Sequence, residues 1–229
     1  MKISKSLLTT AALVASFGAS ASANAQVTGM TTAGPIGAFL ALSPPIACTN
    51  ATPCTLGPGV ATIRGGTVFN SDQPFADIPA GAIFGSRFLS SGPSSTTPSF
   101  MTFAAGGLSN IGFLWGSPDI YNRLTVNSRG INDASENVQT FWAGAGMNAG
   151  ATGLGFGTTN GNQNFSQYVR FDANPGFVIT SFEFRNQPSI DAFEVANFSI
   201  NVVPEPATYA LMATGLLALG AIAKRRKQV

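Results

Sequence analysis

The chain has 229 residues, 45% apolar and only 10% charged, with 12 basic against 10 acidic side chains. Histidine is absent, which excludes Ser-His-Asp and Cys-His nucleophile pairs and zinc sites built on imidazole. Between Gln26 and Val203 there are six arginines, no lysine, six aspartates and three glutamates, a net charge of −3 that gives no electrostatic footprint for nucleic acid or anionic lipid.

At the amino end, Lys2 and Lys5 precede an apolar stretch from Leu7 to Ala19, and Ala23-Asn24-Ala25 places small residues where a signal peptidase reads. Residues 1–25 are therefore expected to be a signal peptide, cleaved after Ala25. The 178 residues from Gln26 to Val203 suit one domain with a single core. Residues 26–59, rich in Thr, Ala, Gly and Pro, read as an irregular lead-in with an edge strand at Phe39 to Leu42. Cys48 and Cys54 lie in this lead-in. In an exported chain such a close pair is most simply a disulfide closing a small loop, worth about 2 kcal/mol.

Val60 to Phe69 and Ala82 to Leu89 read as strands bounded by Gly, Pro and Asp, and Ser90 to Ser99 as a Ser/Thr/Pro-rich loop. Phe100 to Phe103 is the next predicted strand. Ile111, Phe113 and Trp115 then alternate with Gly112, Leu114 and Gly116. Pro118-Asp119 supplies a turn, and Tyr121 to Val126 returns with Leu124 and Val126 inward, so the two segments are expected to form a hairpin. Asn127 to Asn164 is loop-dominated, with a strand at Val138 to Trp142 and a glycine-rich run from Gly144 to Gly161 that lacks the strand-to-helix context of a nucleotide-binding loop. Phe165, Gln167, Val169 and Phe171 share one strand face, as do Thr180, Phe182 and Phe184. Phe193 and Val195 are out of phase with Phe198, Ile200 and Val202, which predicts a bulge near Ala196-Asn197. Residues 60–202 are thus expected to form an antiparallel β-sandwich of jelly-roll type, filled from the chain's 18 phenylalanines.

Several residues are candidates for function. Asp119 and Asn122 supply oxygens near a tight turn and, joined by Asp133 or Glu194, suggest a calcium site. The alternative is that Asp119 caps its own turn while Trp115 packs in the core. Glu183 with Glu194, or Asp72 with Asp77, are the carboxylate pairs from which a glycosidase would draw its acid and base. Tyr121, Trp142 and Tyr168 are candidates for stacking on a sugar ring. Asn50-Ala51-Thr52, Asn164-Phe165-Ser166 and Asn197-Phe198-Ser199 fit the glycosylation sequon, which such a composition produces by chance.

The carboxyl end is the most informative stretch. Pro204-Glu205-Pro206 precedes an uncharged apolar run from Ala207 to Ala223, followed by Lys224, Arg225, Arg226 and Lys227. As a helix the run reaches roughly 25 Å, nearly a hydrocarbon core of about 30 Å. The four cations hold its end on the cytoplasmic side. A single C-terminal transmembrane helix is therefore expected over the sandwich's carboxyl end. Together these parts resemble the PEP-CTERM sorting signal of Gram-negative bacteria, over Val203 to Val229. That resemblance implies recognition of Pro204, Glu205 and Pro206 by an exosortase in the inner membrane, cleavage near the motif, and delivery to the cell surface or extracellular matrix. A simple uncleaved anchor is the alternative.

Gly112 to Asn122 (GFLWGSPDIYN) also resembles the W-G-S-x-D-x-Y-N segment of a family of exosortase-dependent surface proteins. Tyr168 to Phe171, Phe177 to Phe184, and Phe193 to Asn197 resemble that family's later strands, with Ala196 where aspartate is usual. This second resemblance implies no biochemical activity. The expectation is a non-enzymatic, surface or matrix protein without a cofactor other than calcium. The alternatives are a lectin-like binder of exopolysaccharide and, less favoured, a hydrolase of matrix polymer.

Overall fold

A computed structural model describes residues 26–92, 98–119, 121–143, 152–154, 164–186, 192–201, Met212 and 214–217. The expected signal peptide, the sorting tripeptide, the basic tail and most of the glycine-rich run lie outside these residues. Fifteen strands are described. The first six are β1 (Val27–Thr32), β2 (Ala38–Phe39), β3 (Ile46–Ala47), β4 (Cys54–Leu56), β5 (Ala61–Arg64) and β6 (Thr67–Phe69). β7 (Phe88–Ser91), β8 (Ser99–Phe103), β9 (Asn110–Gly116), β10 (Asn122–Gly130) and β11 (Glu136–Trp142) follow. The last are β12 (Thr152–Gly153), β13 (Ser166–Ala173), β14 (Phe177–Asn186) and β15 (Phe193–Ile200).

They form two sheets. Sheet A runs β1-β13-β9-β15-β7-β6-β3, with β2 also on β15, and sheet B runs β12-β11-β10-β14-β8-β5-β4. All described pairings are antiparallel except β11 with β12. The alternation written into the sequence builds the space between them. Ile111, Phe113 and Trp115 of β9 and Val169 and Phe171 of β13 point inward from sheet A, against Leu124 and Val126 of β10 and Phe182 and Phe184 of β14 from sheet B. Phe113 is the hub. Its ring lies 5.5–6.2 Å from those of Trp115, Phe171, Phe182, Phe184 and Phe198, spacings typical of favourable aromatic pairs.

Several segments depart from the sequence expectations. The sandwich begins at Val27, because β1 pairs with β13 along six residues, so the segment read as an irregular lead-in supplies edge strands to both sheets. Its weakly apolar sequence, VTGMTT, needs to bury only one face. Val60 to Phe69 is two strands rather than one. Gly65 and Gly66 adopt φ of +78° and +72°, which lets the chain leave β5 in sheet B and enter β6 in sheet A. The predicted strand at Ala82 instead starts at Phe88, and the predicted loop at Ser90 is still strand through Ser91.

β9 and β10 do not form the expected hairpin: β9 lies between β13 and β15, whereas β10 lies between β11 and β14. Ser117 to Tyr121 is therefore a corner from one sheet to the other. Thr180 is the extra residue of a bulge opposite Asn127 and Ser128. It points away from the core and donates to Glu136 at 3.2 Å.

The predicted bulge in β15 is present, with a register shift between Ala196 and Ser199 and a positive φ of 50° at Asn197. The extra residue returns Phe198 to the same core as Phe193 and Val195. The two cysteines form a disulfide, Cys48–Cys54. For a loop this short, its removal by a double Cys→Ser substitution is expected to cost about 2 kcal/mol, read as a lower urea midpoint with an intact far-UV spectrum.

Among the described residues no helix is long and apolar enough to cross a membrane. Met212 and 214–217 are helical, with Met212, Leu216 and Leu217 exposed. They fall inside the expected terminal span, whose other residues lie outside those described.

Candidate functional site

The outer face of sheet A is not open to water. The flap formed by residues 70–87 lies across it, and Ala76, Phe88, Leu114, Ala192 and Ala196 form a second small core there, with Phe75, Ile78 and Tyr168 packed alongside. Ala196 is thus enclosed. The absence of a side chain at Gly116 lets the flap sit close: a Cβ there would come within 2.7 Å of Pro79 and 3.2 Å of Glu194.

Glu194 faces this interface from β15 and is 3% exposed. Its Oε2 accepts from the Ser117 hydroxyl at 3.0 Å. Burial pushes its carboxyl well above the usual carboxylate range. The Ser117 bond and its own backbone N–H pull the other way, and the nearby carboxylates Asp119 and Asp77 push it higher. No arginine forms an ion pair with Glu194 among the described residues. Asp77 is itself raised, by partial burial and then by Asp72. Asp72 in turn holds the flap's backbone, accepting from the Ile78 N–H at 2.8 Å.

The Trp115 to Asn122 corner joins this cluster. Asp119 and Asn122 are both buried. The Asn122 Oδ1 accepts from the Asp119 N–H at 2.9 Å and from the Trp115 indole at 3.4 Å, and its Nδ2 donates to the Ala192 carbonyl at 3.4 Å. The Asn122 amide is thus spent on closing the corner. Trp115 stacks on Phe193 with centroids 4.3 Å apart.

The structure brings Glu194 beside Asp119 and Asp77, a grouping that sequence spacing could not show. Asp133 lies past the far end of β10, roughly 30 Å away at about 3.3 Å per residue, and caps its own turn by accepting from the Ser135 N–H at 2.8 Å. Among the described residues no group of three or more Asp, Glu or Cys side chains is placed to hold a metal ion. Glu183 faces outward on sheet B, so the Glu183 and Glu194 carboxyls lie on opposite outer faces of a sandwich whose sheets pack about 10 Å apart.

The flap is pinned by the bulge. The positive φ at Asn197 turns its amide outward, where Nδ2 donates to the Gly81 carbonyl and the Tyr168 hydroxyl, each at 2.8 Å, and Oδ1 accepts from the Ile83 N–H at 2.8 Å. Asn tolerates this left-handed conformation better than most residues. An Asn197→Ala variant is expected to lose about 3 kcal/mol, three hydrogen bonds at about 1 kcal/mol each. Hydrogen exchange should then accelerate in residues 70–87 before the sheets, and uniform acceleration would contradict this pinning role. The same enclosure withdraws the Asn197 sequon from any modifying enzyme, whereas Asn50 and Asn164 are exposed. Of the predicted stacking aromatics, Trp142 is buried, and Tyr121 and Tyr168 are half-buried.

Asn201 is held by the Asn110 side chain, its N–H donating to Oδ1 at 2.7 Å. Residues 202–227 match the family model of the PEP-CTERM protein-sorting motif. No curated protein and no solved structure matches the chain.

Proposed function

From the PEP-CTERM sorting motif that this chain carries, we propose that it is an exported protein whose tail is handed to an exosortase and whose sandwich is displayed at the cell surface or in the extracellular matrix as a non-enzymatic structural or adhesive module. The observation that carries this reading is the motif's place: its match begins two residues after Ile200, where β15 ends. Pro204 and Pro206 lack the backbone donor needed to extend a ladder. A cut near them removes none of the described strands, and β15 already has β9 and β7 as neighbours. Before the cut, the six residues from Asn201 to Pro206 reach at most about 20 Å, so the sandwich rides close to the membrane surface.

Signal peptidase acting after Ala25 would complete the route, leaving Gln26 one residue ahead of β1. Deleting residues 204–229 is expected to move the protein from the envelope fraction to the soluble periplasm or medium. Unchanged localisation of the deleted form would sink the proposal.

A further inference from the structure

Sheet B leaves part of its outer face, around β8 and β5, open to water, and that face differs in chemistry from the rest of the domain. Phe100 on β8 points outward and is 45% exposed, although its neighbour Met101 is fully buried. In register with it stand Arg64 on β5 and Glu183 on β14. One step along the strands, Thr62, Thr102 and Ser181 form a row of hydroxyls. An open cleft of about 460 Å³ lies beside the ring, lined by Arg64, Phe100, Pro98, Thr67, Asn50 and Thr49 among others. This volume is in the range of small-ligand sites.

Charge is segregated as well. Four of the six body arginines, Arg64, Arg123, Arg129 and Arg185, lie on sheet B strands, against two acids, Glu136 and Glu183. Glu183 is held by Arg185 at 2.7 Å, with Arg123 at 3.9 Å. Arg64 is exposed and has no ion-pair partner among the described residues. The acids of the flap, by contrast, gather on sheet A. An otherwise acidic body thus presents one basic face, with an unburied aromatic ring toward one end of its strands.

We infer that this face, centred on Phe100 and Arg64, binds an acidic polysaccharide built from uronate-containing units. The ring offers an apolar platform to the C–H face of a pyranose, as aromatic side chains with polar neighbours do. The planar guanidinium of Arg64 matches a uronate carboxylate with two parallel hydrogen bonds. Thr62, Thr102 and the fixed carboxylate of Glu183 can meet ring hydroxyls. An open sheet face accommodates an extended chain, while the low overall charge disfavours nucleic acid, which demands many phosphate contacts.

The binding goes beyond sorting and does not depend on it, because it is measured on purified protein rather than on cells. Full-length protein in detergent is titrated with polygalacturonate, with dextran and duplex DNA as controls. The expected result is salt-sensitive binding to polygalacturonate, at least tenfold tighter than to dextran or DNA. Phe100→Ala and Arg64→Gln should each weaken it tenfold or more while lowering the melting temperature by no more than about 2 °C. Absence of binding, wild-type affinity in both variants, or equal affinity for dextran or DNA would overturn the inference.

Discussion

A Glu194→Gln variant is expected to melt at a higher temperature than the wild type at pH 8, with the difference closing as pH falls toward 4.5. Glu194 keeps its proton in the fold to a pH well above its ordinary value of 4.5, chiefly because it is buried and also because Asp119 and Asp77 face it. Over the interval between those two values the folded state binds more protons than the unfolded chain, so stability falls as pH rises. The contribution is fully present below about 4.5 and is lost through the folded pKa, at about 1.4 kcal/mol per pH unit inside that window. Glutamine keeps an oxygen for the Ser117 hydroxyl but has no proton to lose. Thermal melts of both forms from pH 4 to pH 9 check this, and a wild type that gains stability across the window would contradict a buried carboxyl without an ion-pair partner.

The second large effect is at the centre of the sandwich. Phe113→Ala is expected to cost about 3–5 kcal/mol, a large fraction of the 5–15 kcal/mol typical of a whole domain. The removed ring touches five others, and rings held by two sheets cannot collapse into the vacancy. Phe100→Ala deletes the same side chain from an exposed position and should cost no more than about 0.5 kcal/mol. Urea midpoints of the two variants, compared at equal m-value, separate them. Comparable losses would mean that Phe113 is not the hub its contacts describe.

These two phenylalanines also show how much was legible beforehand. Ile111, Phe113 and Trp115 alternate with small or outward residues, so their strand and its buried face follow from period two alone. The segment Phe100-Met101-Thr102-Phe103 puts phenylalanine in both phases, and nothing local says that Met101 and Phe103 win the interior. The bulge at Ala196-Asn197 was readable because the apolar phase changes there. The one at Thr180 was not, because threonine suits either face. Sheet membership was hidden for a different reason. Ser117 to Tyr121 has the composition of a hairpin turn but crosses between sheets, and Gly65-Gly66 does the same between β5 and β6. A turn's residues report its local dihedrals and not which partner each flanking strand finds.

Of the candidate corner, Asp119 and Asn122 were legible as turn formers. The approach of Glu194 and Asp77 depends on the flap, which no periodicity announces. The sorting tail was the most legible part, because its order of kinked tripeptide, apolar run and cations is carried by adjacent residues.

The most direct measurement is the mass of the protein recovered from the cell exterior. Processing at the sorting motif predicts a species that starts at Gln26 and ends near Pro204, without Lys224, Arg225, Arg226 and Lys227. Recovery of a species that still carries residues 224–229 would contradict it.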